Sequence, residues 1–172
     1  MARAAALPRG GARTWPSSNR ASMHEMANDD LTQKMTLDEL NDFLQEAFEG
    51  GRPYAVESIG DGRACLSLPI EQLVIRPGGT VSGPTLMMLA DAAAWAVILA
   101  YIGPVALAVT SNLTINFLRK PAPVGVIADA EILRLGRKQA VVEVRMSSEG
   151  TPGLVAQATV TYAIPSSDWD RT

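Results

Sequence analysis

The chain has 172 residues, of which 47% are hydrophobic and 19% charged, so it is long enough to bury the core of one globular domain. Its formal net charge is −3, but residues 1–22 carry four arginines and no acid, which leaves −7 for the remainder. An acidic domain lacks the basic surface that nucleic acid requires, so a nucleic-acid partner is excluded.

One cysteine and one histidine restrict the chemistry that the domain can perform. Cys65 cannot form an internal disulfide, which fits a reducing compartment, and we predict a cytoplasmic protein. Cys65 falls in an alternating strand pattern, so we expect a buried structural thiol. His24 lies in the N-terminal segment, so a Ser-His-Asp triad, a Cys-His pair and a histidine zinc site are not expected. We predict no metal and no cofactor.

The N-terminal segment, residues 1–33, is rich in Ala, Arg, Gly, Pro and Ser and lacks apolar periodicity, which predicts a disordered extension. It has no uninterrupted apolar stretch, so a secretory signal is not expected. Its basic composition leaves open an organellar transit peptide, or translation that starts at Met23 or Met26. We predict one domain over residues 34–166 and a tail over residues 167–172.

The first ordered elements are predicted to be a helix and a hairpin. Thr36 and Glu39 form a capping-box pattern, apolar residues follow at helical spacing as far as Phe48, and Gly50-Gly51 ends the helix. Two strands are then predicted over 54–60 and 63–70, because Asp61-Gly62 between them is a strong hairpin-turn signal.

A loop and a long apolar helix come next. Glycines and prolines over 74–84 predict a loop whose backbone can approach another group closely. Ser82 is a predicted N-cap, Pro84 suits the first turn, and Gly103-Pro104 ends the helix. This helix is apolar on all sides and must be covered on all sides. One sheet covers one side only, so we expect an oligomer.

Asp91 is the only charged side chain in the seventeen-residue run from Leu86 to Ile102. Burying an unpaired carboxylate costs several kcal/mol, and a perturbed carboxylate in a cleft is a candidate catalytic group. Two alternatives compete: a structural acid bonded to neighbouring amides, and a transmembrane helix. The run is short for a membrane and has no flanking basic residues or aromatic belt, so no membrane partner is expected.

The final third is predicted to form antiparallel strands over 106–118, 124–135, 138–147 and 154–164, giving an α+β fold. The first of these strands should place on one face Val109, Ser111, Leu113, Ile115 and Phe117, and on the other Thr110, Asn112, Thr114 and Asn116. The last should share one face among Leu154, Ala156, Ala158, Val160, Tyr162 and Ile164.

The strings GGTVSGPTLMMLADAAAWA and AVTSNLTINFLRKPAPVG resemble the hotdog-fold thioesterase superfamily, specifically its PaaI-like branch, over residues 36–165. The resemblance implies a long central helix wrapped by a curved antiparallel β-sheet. It also implies dimers joined sheet edge to sheet edge, which often pair into tetramers. The implied activity is hydrolysis of acyl-coenzyme A thioesters at the subunit interface, with coenzyme A as part of the substrate.

The branch usually has His-Gly-Gly at the helix start and an acid nine residues after the histidine. Ser82-Gly83-Pro84 stands there instead, and Asp91 lies nine residues after Ser82. The resemblance therefore implies that Asp91 is the catalytic acid and that the Gly83 N–H holds the oxyanion. It implies that Thr110, on the following strand, helps to place the attacking water.

The remaining site residues are predicted to bind substrate. Ser82 and Arg76 occupy the positions of the family's histidine and of an asparagine six residues earlier. Arg119 and Lys120 follow the strand that carries Thr110. They are predicted to hold the phosphates of coenzyme A, and the alternative is an ordinary solvated charge pair. The two replacements motivate an alternative, a hotdog protein that binds acyl-coenzyme A without turnover. A hotdog dehydratase or hydratase ranks lower, because such enzymes generally rely on a histidine.

Overall fold

The computed structural model describes residues 31–48 and 50–165. Two α-helices and eight strands follow one another in this part of the chain: α1 Leu37–Glu46, β1 Ala55–Gly60, β2 Arg63–Leu68, β3 Ile75–Arg76, β4 Thr80–Val81, α2 Gly83–Ile102, β5 Val109–Phe117, β6 Val126–Leu135, β7 Gln139–Ser148 and β8 Leu154–Ala163. Except for residues 31–33, the predicted extension lies outside the described residues, as do His24 and the predicted tail. Those predictions remain untested.

Six strands form one antiparallel sheet in the order β1-β2-β6-β7-β8-β5, and the central helix α2 packs against it. Helix α1 packs on β1 and α2. This arrangement confirms the predicted α+β fold, a long central helix wrapped by a curved antiparallel sheet. Strand β5 lies at one edge of the sheet, and much of its length is exposed.

Local sequence signals set the element boundaries. The Thr36 hydroxyl accepts from the Glu39 N–H at 3.3 Å, and the Glu39 carboxylate accepts from the Thr36 N–H at 2.7 Å, which completes the predicted capping box. The hairpin turn between β1 and β2 has positive φ at both Asp61 (50°) and Gly62 (71°), as a tight two-residue turn requires. Cys65 is buried, as predicted for a structural thiol.

The predicted loop over 74–84 contains a two-stranded ribbon, β3 paired with β4, that the sequence did not indicate. Its turn uses Gly78 and Gly79, with φ of 96° and 64°. A Cβ at either glycine would meet nothing within 4 Å. These two glycines serve the left-handed turn conformation. The backbone of Gly78 is also approached closely by Lys120, whose Nζ donates to the Gly78 carbonyl oxygen at 2.9 Å. A second close approach occurs at Gly83.

Helix α2 is the core of the domain. The sequence predicted that one chain would leave part of this helix uncovered, and the single chain does leave part of it exposed. It is long and apolar enough to cross a membrane by length and composition, yet 72% of its most apolar window is buried within the domain. One stripe stays partly exposed, with Met87 41% exposed, Met88 37% exposed, and Asp91 and Trp95 half-buried. The structure thus gives Asp91 an open side, which the helical pattern alone did not provide.

A bulge in β5 changes the predicted facing of its residues. Thr110 pairs with Tyr162 and Asn112 with Thr161, which leaves Ser111 as an extra residue. Directly opposite residues share a face, and Tyr162 is buried, so Thr110 faces the core side together with Leu113. The predicted grouping of Thr110 with Asn112 is wrong, because one inserted residue reverses a period-two pattern.

A second bulge affects the start of β8. Met146 pairs with Ala156 and Ser147 with Leu154, so Val155 is the extra residue. Leu154 is 36% exposed and does not share the core face that was predicted for it. The other predicted members up to Tyr162 are buried on that face.

Candidate active site

The carboxylate of Asp91 is held by two hydroxyl groups from the sheet. The Thr110 hydroxyl donates to Asp91 Oδ1 at 2.5 Å, and the Tyr162 hydroxyl donates to the same oxygen at 2.8 Å. The Tyr162 hydroxyl also lies 3.2 Å from the backbone carbonyl oxygen of Asp91. The alternative of a structural acid bonded to backbone amides is therefore not what the structure shows.

Both hydroxyls come from one rung of the sheet, because Thr110 on β5 lies directly opposite Tyr162 on β8. The bulge at Ser111 is what turns Thr110 towards the helix. Tyr162 is 3% exposed and Thr110 is exposed, so one donor approaches Asp91 from the core and the other from the open side. Together they leave the half-buried carboxylate accessible at the rim of the domain.

Two further groups act electrostatically on this cluster. Burial raises the pKa of Tyr54, the positive charge of Arg52 lowers it, and the negative charge of Asp91 raises it. Burial likewise raises the pKa of Tyr162 far above its ordinary value, and Asp91 adds to that rise. Both tyrosines therefore stay protonated and able to donate at neutral pH. The Tyr54 hydroxyl is buried without a hydrogen-bond partner among the described residues.

The N-terminus of α2 offers one uncommitted amide in its first turn. The Ser82 N–H donates to Val74 O at 2.8 Å, and the Thr85 N–H donates to the Ser82 hydroxyl at 3.3 Å. Pro84 has no N–H. Within the described part of the chain, the Gly83 N–H makes no hydrogen bond, so it is free to meet a developing negative charge.

Gly83 is also the place where another side chain comes close. A Cβ at Gly83 would lie 3.3 Å from Cζ of Phe117, at the far end of β5. Gly83 and Asp91 are eight residues apart on α2, about 12 Å along its axis. A single chain therefore does not bring the amide and the carboxylate to one carbonyl carbon.

The predicted substrate-binding residues lie around the loops next to the helix start. Ser82 caps α2, and its hydroxyl lies 2.7 Å from that of Thr85. Arg76 is exposed on β3. Lys120 donates to the carbonyl oxygen of Gly78 at 2.9 Å, which ties it to the turn of the β3-β4 ribbon.

Arg119 and Lys120 line a cavity of about 240 Å³ together with Gly79, Gly153 and the segment between β5 and β6. The Arg119 guanidinium lies so close over Gly153 that a Cβ there would collide with it. The basic pair is thus brought together at one cavity. Within residues 31–48 and 50–165, no group of three or more His, Cys, Asp or Glu side chains could hold a metal ion.

Tyr162 is the contact of Asp91 that sequence reasoning did not assign. A signal for it existed, because the alternation of β8 placed Tyr162 on the buried face. A buried tyrosine hydroxyl needs a partner, and Asp91 was the one acid on the apolar helix. The sequence did not reveal which strand lies beside the helix at that level.

Comparisons with known proteins agree with this architecture. The family model described as thioesterase superfamily matches residues 78–161. A crystal structure from Silicibacter sp. TM1040, provisionally named a thioesterase, is 36% identical with a TM-score of 0.74, and the match covers 80% of this chain and 97% of that one. A mutant structure of the phenylacetic acid degradation protein PaaI from Thermus thermophilus is 25% identical with a TM-score of 0.55, covering 65% and 93%.

A curated protein of Thermoplasma acidophilum, provisionally named an esterase, is 26% identical over 122 residues, which are 71% of this chain and 91% of that one. The Silicibacter match spans nearly that whole protein at more than 30% identity. The chain therefore belongs to the thioesterase superfamily, with the hotdog fold.

Proposed function

We propose that the protein is an acyl-coenzyme A thioesterase in which Asp91 acts on the thioester carbonyl from the rim of the central helix. The observation that carries this proposal is a carboxylate on an otherwise apolar helix, held by the Thr110 and Tyr162 hydroxyls and open on one side. Membership of the superfamily supports thioester hydrolysis in general. The choice of acyl-coenzyme A as the thioester is the more specific part of the proposal.

In the hydrolytic step, Asp91 takes a proton from water while the water oxygen attacks the thioester carbonyl carbon. Negative charge then develops on the carbonyl oxygen, where the Gly83 N–H of the partner subunit donates to it. Collapse of this intermediate breaks the C–S bond, and the thiolate takes the proton back from Asp91. Direct attack by the carboxylate, with later hydrolysis of the acyl-enzyme, is the alternative route.

A second copy of the chain supplies the amide. Gly83 and Asp91 are about 12 Å apart on one helix, whereas a carbonyl group must contact both functions at once. The exposed stripe with Met87 and Met88, and the free edge of β5, support a neighbouring copy beside the site. We propose a dimer, or a tetramer built from two dimers, with two composite sites for each dimer.

The nucleotide end of coenzyme A is assigned to Arg119 and Lys120. The two side chains share one cavity, and the ribbon that carries Arg76 borders it through Gly79. Phosphate groups are favoured by such a concentration of positive charge on an otherwise acidic domain. Because the Ser82 hydroxyl is engaged with Thr85, we assign it to shaping the helix start beside the substrate.

Release of free thiol from a panel of acyl-coenzyme A esters tests the proposal. Short-chain, long-chain and aryl esters should be included, because the apolar side chains of Met87, Met88 and Trp95 do not specify which acyl group binds. Turnover that Asp91→Asn abolishes supports the thioesterase. Tight binding of the esters without thiol release by the wild type would support the binding-protein alternative instead, which the replacements at Ser82 and Arg76 motivate.

A further inference from the structure

The Tyr162 hydroxyl touches Asp91 twice. It donates to Oδ1 at 2.8 Å and lies 3.2 Å from the backbone carbonyl oxygen of the same residue. A group that contacts both the backbone and the side chain of one residue restricts the torsions between them. The Thr110 hydroxyl donates to Oδ1 as well, at 2.5 Å. Among the described residues, no hydrogen bond reaches Oδ2.

We propose that Tyr162 is a positioning residue that fixes the rotamer of Asp91 and presents Oδ2 to the reacting water. This inference rests on the proposed thioester hydrolysis. Two donors on Oδ1 engage one oxygen of the carboxylate, so the other oxygen is the one left to take the proton.

The location of Tyr162 suits this role. Tyr162 is 3% exposed and forms a cross-strand pair with Thr110, so its hydroxyl has little freedom to move. Thr110, the other donor, lies on the edge strand β5 next to the bulge at Ser111, whereas Tyr162 lies one strand further into the sheet. The charged and titratable groups that act on this cluster are Asp91 itself, Tyr54 and, through Tyr54, Arg52. A change at Tyr162 leaves all of them in place.

The test compares Tyr162→Phe with a matched control, Tyr101→Phe. Tyr101 is also buried at the helix, 4% exposed, and its hydroxyl accepts from the Gly62 N–H at 2.7 Å, away from Asp91. Both variants lose one buried hydroxyl hydrogen bond, so both should lose stability. Only Tyr162→Phe should lower kcat, by about ten- to hundredfold for a hydrogen bond to a charged group, with KM within about twofold.

A crystal structure of Tyr162→Phe adds a readout that does not depend on turnover. The Asp91 side chain should occupy more than one rotamer in the variant and a single rotamer in the wild type and in Tyr101→Phe. If the wild type releases no thiol from any ester, the proposed hydrolysis fails and the rotamer comparison alone decides the positioning role. If the wild type is active, an unchanged kcat in Tyr162→Phe, with a stability loss equal to that of Tyr101→Phe, overturns it.

Discussion

Replacing Asp91 by Asn should separate the chemistry of the site from its architecture. An asparagine amide oxygen at the position of Oδ1 can still accept from the Thr110 and Tyr162 hydroxyls, which lie 2.5 Å and 2.8 Å away. The amide nitrogen then takes the place of Oδ2, where the described chain provides no partner that it would displace. The substitution therefore preserves the shape and both hydrogen bonds but removes the base.

The expected magnitudes differ sharply between turnover and stability. Loss of a general base should lower kcat by about 10² or more. The free energy of unfolding should change by only about 1 kcal/mol, because both donors keep a neutral acceptor. Asp91→Ala is the contrasting variant. It removes the side-chain acceptor of both hydroxyls and leaves Tyr162, only 3% exposed, with the backbone carbonyl oxygen of residue 91 at 3.2 Å as its remaining acceptor. The loss of the two side-chain hydrogen bonds should cost about 1–3 kcal/mol.

Thiol release and urea unfolding of the wild type, Asp91→Asn and Asp91→Ala measure these differences, and equilibrium binding of a coenzyme A ester completes the set. The reasoning predicts an Asn variant that is stable, binds the ester and does not turn it over. Wild-type turnover in Asp91→Asn would refute the catalytic role. An Asn variant as unstable as the Ala variant would refute the hydrogen-bond geometry.

Light scattering should return a dimer or tetramer at micromolar concentration. Met87→Glu places a charge on the exposed stripe and should shift the protein towards an inactive monomer. An active wild-type monomer would contradict the shared site. Replacing Arg119 and Lys120 by Ala should raise KM for acyl-coenzyme A but not for an acyl-pantetheine, and less so at high salt, because exposed charges are screened over about 10 Å at 0.1 M. Equal losses on both substrates would indicate a disturbed strand instead. Hydrogen bonds from the Thr36 N–H and hydroxyl lower the pKa of Glu39, so the capping box stabilises the fold above the ordinary pKa of glutamate, and this contribution is lost as the pH falls through the lowered value. Urea midpoints of the wild type and Glu39→Gln, which removes only the carboxylate charge, should therefore converge in acid, and a gap that is independent of pH would count against the argument.

Elements whose signals are local could be predicted from the sequence. The capping box at Thr36 and Glu39 and the turn at Asp61-Gly62 each depend on residues within three positions of one another. Their hydrogen bonds and φ angles follow from local sequence and do not require knowledge of long-range contacts. The start of α2 at Gly83, after the Ser82 cap, is predictable for the same reason.

Features that depend on the pairing of distant segments could not be predicted. The bulge at Ser111 is visible only once β5 is aligned with β8. The sequence of β5 alone does not show which of its residues lacks a partner on the neighbouring strand. The contact between Tyr162 and Asp91 joins residues 71 positions apart. The partial exposure of Met87 and Met88 is a property of how the other elements pack on α2 rather than of helical periodicity.

The free edge of β5 affects how the protein tolerates dilution and heat. The strand reads VTSNLTINF and contains no charged residue and no proline, two of the features that keep an open edge from pairing with another chain, although it does carry the bulge at Ser111. In the proposed dimer a second copy covers this edge, and a chain separated from that copy would expose it beside large apolar side chains. Heating should then end in precipitation rather than reversible unfolding, so the apparent melting temperature would depend on scan rate and on protein concentration.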